Sequence, residues 1–173
     1  MSRYVSFNAR EAGDASASDQ IEVVLVIVEH PDLAEPERLS SDNKVRLSVE
    51  PLQYGTLSSW RTQSGEPFRF IGMGAQLPDD ADDGPANGSL VVELHDQRLV
   101  DALRSTVTPA TIHMALVMAD TPDLVEAEFV GMELAGADIG AGEATLQFGL
   151  KPVLAERNPS DRMTRQQFPG LHP

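Results

Sequence analysis

The strongest signal along the chain is Ile21-Glu22-Val23-Val24-Leu25-Val26-Ile27-Val28, a run dominated by β-branched residues with one charge and halted by Pro31. It predicts a strand that is apolar on both faces. Either this strand lies in the centre of a sandwich, or one face is covered by another subunit, which makes Val24, Val26 and Val28 candidate assembly contacts. Residues 44–49 behave differently. Val45, Leu47 and Val49 alternate with Lys44, Arg46 and Ser48, the period of a strand with one wet, basic face.

Further strands are expected over 56–62 and 67–77, flanking the turn-forming pair Ser64-Gly65. In the second of these, Phe68 and Phe70 fall on one face and Ile71, Met73 and Leu77 on the other, so a bulge is expected at Gly72. Pro78 to Pro85 combines Pro and Gly with the mutually repelling Asp79, Asp80, Asp82 and Asp83, and reads as a loop. Asn87-Gly88-Ser89 reads as a turn. Leu90, Val92 and Leu94 then alternate over 89–95, and Asp96 is placed to cap a short helix carrying Leu99, Val100 and Leu103.

After Pro109 a half-buried strand is expected, with Ile112, Met114, Leu116 and Met118 inward and Thr111, His113, Ala115 and Val117 on the wetter side. Thr121-Pro122-Asp123 should break it. Beyond Leu124 the apolar phase shifts from Val125, Ala127 and Phe129 to Val130, Met132 and Leu134 beside Gly131, which predicts another bulge. A Gly-rich turn at 136–142 leads to a last strand with Ala144, Leu146, Phe148 and Leu150 on one face. The sum is a mainly β fold, a sandwich or barrel of about eight strands with one short helix, over residues 21–154. Residues 1–20 are expected to form a flexible lead-in, in which 11–19 are small and polar and could at most make a frayed short helix. Residues 155–173 form an extended, proline-bearing tail that can reach a neighbour, with Phe168 and Leu171 as its apolar contacts.

Charge narrows the functional classes. A net charge of −14, from 27 acidic against 13 basic residues, leaves no cationic excess to neutralise phosphates, which disfavours stable nucleic-acid binding. The chain has no cysteine, so disulfides, thiolate metal sites and cysteine nucleophiles are excluded. The N-terminus lacks the apolar core of a signal peptide, and no apolar run approaches about 18 residues, so a soluble protein made inside the cell, without membrane anchor, is expected.

Candidate chemistry is sparse. His30, His95, His113 and His172 are scattered singly, without the spacing of a helical metal site. An EF-hand loop opened by Asp80 would need glycine where Pro85 stands and glutamate where Val91 stands. Neither a nucleophile elbow nor a phosphate-binding loop occurs. Glu126 and Glu128, two apart on one strand face, are the best acid–base pair, a pattern that also fits an ordinary solvated strand. Trp60, the one tryptophan, reads either as a core residue or as an interface anchor beside Tyr54. The expectation is a protein without catalytic residues, metal or cofactor.

Several stretches resemble an uncharacterised family of phage tail proteins, a domain of unknown function encoded among the tail-tip genes of long-tailed, lambda-like phages. They are Val28-Glu29-His30-Pro31-Asp32-Leu33, Glu35-Pro36, Arg38-Leu39-Ser40-Ser41-Asp42, Leu47-Ser48 and Pro51-Leu52-Gln53-Tyr54-Gly55-Thr56. Further along stand Leu77-Pro78-Asp79, Thr108-Pro109-Ala110, Ala119-Asp120-Thr121-Pro122-Asp123-Leu124-Val125-Glu126 and Phe168-Pro169-Gly170-Leu171. The resemblance implies a fold related to tail-tube and hub proteins. It also implies a virion protein of the tail tip or baseplate, assembled in the bacterial host cytoplasm with other tail proteins. A ring-forming homo-oligomer, threefold or sixfold, would let DNA pass an acidic channel. The alternatives are a module binding host-surface carbohydrate and a tail-associated cell-wall hydrolase.

Overall fold

The computed structural model describes residues 2–3, 6–62, 65–78, 87–93 and 108–150. Among them the chain forms β1 (Ser2–Arg3), α1 (Phe7–Asp14), β2 (Glu22–Glu29), β3 (Glu37–Ser40), β4 (Val45–Val49) and β5 (Leu52–Leu57). Then follow β6 (Pro67–Phe70), β7 (Met73–Gln76), β8 (Asn87–Glu93), β9 (Thr111–Met118), β10 (Thr121–Ile139) and β11 (Glu143–Gly149). The fold is mainly β, as expected, but the sheet has eleven strands rather than about eight. Its order is β4-β5-β6-β3-β2-β9-β10-β11-β8-β7, with β1 paired to β10, and it does not close on itself. The helix expected after Asp96 lies outside the described residues, and the helix observed is α1. Ser6 caps it by accepting a hydrogen bond from the Ala9 amide at 3.1 Å.

The run of β-branched residues becomes β2, paired with β3 on one side and β9 on the other. Both of its faces are buried within this chain. Val26 and Val28 join Leu39, Ile112, Met114, Met132, Leu146 and Phe148 in a first core, whereas Val23, Leu25 and Ile27 join Trp60, Phe68, Ala115 and Val117 in a second core on the opposite face. Central burial is therefore the outcome of the alternative left open by the sequence. β9 is sandwiched in the same way, which corrects the expected half-buried strand. His113, placed on the wetter side by alternation, is only 5% exposed because its face is covered by the second core.

The chain at 67–77 is interrupted rather than bulged. β6 pairs with β3 and β5, then the backbone turns at Ile71-Gly72 and β7 pairs with β8. At the turn, the Ile71 amide donates to the Ser40 carbonyl at 3.0 Å and the Glu93 amide donates to the Gly72 carbonyl at 2.8 Å. This step carries the chain from one part of the sheet to another, so the first core is wrapped as in a barrel although the sheet stays open. Asn87-Gly88-Ser89 opens β8 and is not a turn. The bulge expected near Gly131 is present: the register between β10 and β9 shifts between Phe129 and Met132, and Gly131 takes φ 69°. β10 continues to Ile139, through much of the segment read as a turn.

Candidate assembly surface

β4 and β5 form a hairpin attached to the rest of the sheet through β6. Its turn contains a cis Glu50-Pro51 peptide bond. The one-face pattern of 44–49 predicts a dry side for Val45, Leu47 and Val49, yet the register shifts between Arg46 and Ser48, and Val45 and Val49 are exposed. Val49 is 70% exposed and stands opposite Leu52, itself 61% exposed. Tyr54 stands opposite Arg46, and the pairing of Gly55 with Arg69 brings it beside Phe70, so apolar surface runs across all three strands. An isolated hairpin is marginal in water, so this arm depends on its attachment.

That attachment is tight. A Cβ at Gly55 would sit 1.9 Å from the Phe68 carbonyl oxygen and 2.8 Å from Leu47 Cδ1, so only glycine lets β5 press on β6 here. Ser40 and Thr56 share a buried hydroxyl hydrogen bond of 2.8 Å. Lys44 forms an exposed ion pair with Asp120 in the β9–β10 turn. Their hydrogen bond and mutual attraction raise the Lys44 pKa and lower that of Asp120.

The sequence-derived contacts lie elsewhere. Val26 and Val28 are buried in the first core and Val24 packs partly buried against it, so this strand is not available to a partner. Trp60 is buried too. Its ring stacks on Phe68 with centroids 6.1 Å apart, and its indole N–H donates to Glu128 Oε1 at 3.0 Å. Trp60 is thus a core residue, not an exposed anchor or a sugar-stacking platform. Its turn is fastened from below: the Ser59 amide and hydroxyl donate to Asp123 Oδ1 at 2.6 and 2.8 Å, and the Ser58 hydroxyl donates to the Pro122 carbonyl at 2.7 Å. The donors on Ser59, the backbone amide first, hold the Asp123 carboxyl below its ordinary pKa. Phe168 and Leu171 lie outside the described residues.

The polar candidates are also separated. A register shift between Val125 and Ala127 parts Glu126 from Glu128. Glu126, buried, accepts the Ser6 amide at 2.6 Å and so ties the start of α1 to β10, while Glu128 receives the Trp60 indole. His30 Nε2 is 2.6 Å from the Thr108 hydroxyl and its Nδ1 accepts the Asp32 amide at 3.0 Å, which closes the turn after β2. His95 and His172 fall outside the described residues. His113 Nδ1 accepts the Gly131 amide at 3.0 Å, so the buried imidazole holds the bulge glycine. Burial and the nearby Arg61 push the His113 pKa below 6.5, against the opposite pull of Glu29 and Glu128.

An open cleft of about 500 Å³ lies between β3, β5 and β6 and is lined by Glu35, Glu37, Arg38, Gln53, Glu66 and Arg69. Its two arginines are paired within it: Arg38 with Glu66, and Arg69 with Glu37 at 3.3 Å, which leaves Glu35 as its surplus charge. Among the described residues no group of three or more His, Asp or Glu could hold a metal ion, and no helix is long and apolar enough to cross a membrane. The exposed apolar residues of the arm escaped sequence reading because an apolar position in a strand is ordinarily taken as core-facing. The one signal available was that Val49 and Leu52 flank the polar turn Glu50-Pro51 directly. No protein-family model matches the chain, and no curated protein is significantly similar to it.

Proposed function

We propose that this protein is a structural subunit of the tail tip or baseplate of a long-tailed phage, a hub or ring component that joins tail tube to tip and serves assembly and DNA delivery. The observation that carries the reading is the β4–β5 arm, whose Val49, Leu52 and Tyr54 stay in water while the two cores are filled. Large apolar side chains grouped at a sheet edge mark a surface that a partner covers. The stretches that resemble a family of phage tail proteins support the kind of partner proposed here: other tail proteins and further copies of this chain. The charge of −14 suits a wall that DNA slides past, because like charges prevent adhesion. The separate engagement of Glu126 and Glu128 supports a structural role over acid–base catalysis, and the burial of Trp60 takes the tryptophan out of any sugar-stacking surface.

The test is mass spectrometry of purified tails together with deletion of the gene. The protein is expected in mature tails, and its loss should stop tail assembly before the tube is complete. Infectious particles that lack the protein would overturn the proposal.

A further inference from the structure

We infer that His113 is a proton-operated latch on the bulge of β10: the neutral ring holds Gly131, and the ring releases it on taking up a second proton. Such a latch works whatever the chain assembles with. A backbone amide can only donate. The Gly131 N–H reaches His113 Nδ1 at 3.0 Å, so this nitrogen offers its lone pair and the single proton of the neutral ring sits on Nε2. Nε2 faces Glu29 Oε2 across 3.5 Å, longer than an ordinary N–H···O bond, and has no hydrogen-bond partner. The residue is 5% exposed, which leaves little room for water to stand in for either contact. Gly131 itself lies where the register between β10 and β9 skips from Phe129 to Met132, with φ 69°, and its amide finds an acceptor on a side chain.

A proton on Nδ1 turns that acceptor into a donor and sets two N–H groups against each other, so the bond to Gly131 cannot persist. The same proton gives the ring a full charge. Three charged groups act on it: Glu29 from β2, Glu128 from β10 and Arg61 from the turn ahead of β6. Glu133, opposite Thr111, is the next carboxylate along β10. Glu128 is already engaged by the Trp60 indole, and Arg61, held at φ 52°, repels a cation. The Glu29 carboxylate is half-exposed at the end of β2 and has room to close the gap to Nε2. Acid therefore trades a bond between β9 and β10 for an ion pair between β9 and β2. Burial and Arg61 disfavour the charged ring, which sets the release below pH 6.5. Once released, the bulge is a looser hinge between the first part of β10, on β9, and its last part, on β11.

The experiment is nuclear magnetic resonance of the full, nitrogen-15-labelled chain, titrated from about pH 8 to 4.5. At the upper end the ring shifts of His113 should report a proton on Nε2 alone. On acidification the Gly131 amide resonance should move with the same midpoint as the ring. Its hydrogen-exchange protection should fall by about tenfold through that midpoint, the worth of one hydrogen bond, while the β2 amides stay protected. These readouts need only the wild-type chain. His113→Asn sets an amide oxygen close to where Nδ1 stood, so its Gly131 protection should stay constant over the same range. Glu29→Gln removes the carboxylate that draws the charged ring, so the midpoints of His113 and Gly131 should fall together. A neutral ring with its proton on Nδ1 overturns the inference. So does a Gly131 amide that ignores the ring titration, and so does loss of protection at Gly131 and in β2 at one midpoint, which describes unfolding of the whole chain.

Discussion

Gly88 opens β8 beneath the ring of Phe148, and one added methyl group there probes how tightly the first core is packed. A Cβ at this position lies 2.4 Å from Cε2 and 2.8 Å from Cζ of Phe148, and 2.9 Å from the Gln76 carbonyl oxygen. To restore even 3.0 Å the ring must retreat by about 0.6 Å, the difference from 2.4 Å. Phe148 is 1% exposed, so it retreats into Leu90, Leu146 and their neighbours, and Gln76 can yield only if β7 shifts. Overpacking of this kind costs about 1–3 kcal/mol. For a chain of this size that lowers Tm by roughly 2–12 °C. Phe148→Leu alone should destabilise through the cavity it leaves, by roughly 1–2 kcal/mol. In Gly88→Ala/Phe148→Leu the new methyl occupies that cavity, so the double variant should be more stable than the sum of the singles by about 1 kcal/mol. Urea unfolding followed by far-UV circular dichroism and Trp60 fluorescence measures all three. A Gly88→Ala variant within about 0.5 kcal/mol of wild type, or strict additivity, would refute the packing argument.

Three further outcomes are expected. Because the folded His113 binds its proton more weakly than the unfolded imidazole at 6.5, the His113 contribution is intact above pH 6.5 and is lost as pH falls toward its lower folded value. Urea unfolding between about pH 8 and 5 should show this fall, and His113→Gln should flatten it; an unchanged slope contradicts the assignment. Trp60→Phe keeps the stack on Phe68 but strands the Glu128 carboxylate, at a cost of about 1 kcal/mol read by circular dichroism, which Glu128→Gln in the same background should partly relieve. Ser6→Ala removes the cap of α1 and should speed amide exchange within Phe7–Asp14 while leaving the β2 and β9 amides protected. Equal acceleration in both regions would show that the helix is not an independent unit.

What the sequence made legible was whatever strict periodicity controls. β11, the inward set of β8 and the Gly131 bulge all follow from a period of two and a glycine at the phase change. β3 escaped notice because it is four residues long, half of them charged, and exists only through pairing with β2 and β6. The second face of β9 escaped because His113 and Ala115 are weakly apolar, and the turn that covers them, with Trp60, comes from far earlier in the chain. The arm was read as an ordinary amphipathic strand because period-two alternation states that two faces differ, not that anything lies against either one. Coverage is a long-range property, and its one local trace was the placing of Val49 and Leu52 directly on either side of the Glu50-Pro51 turn.

The bulges in β10 have a consequence in length. A strand of 19 residues, drawn straight at about 3.3 Å per residue, would reach about 60 Å, whereas a folded chain of this size measures about 40 Å across. The register shifts at 121–125, 125–127 and 129–132 bend the strand, so its first part lines β9 and its last part lines β11 without overshooting either. One continuous backbone thereby acts as the keel of the whole protein. A side chain at Gly131 would meet no neighbour in space, yet the left-handed φ of 69° would strain any residue with a Cβ, so the cost of a substitution there falls on the bend itself.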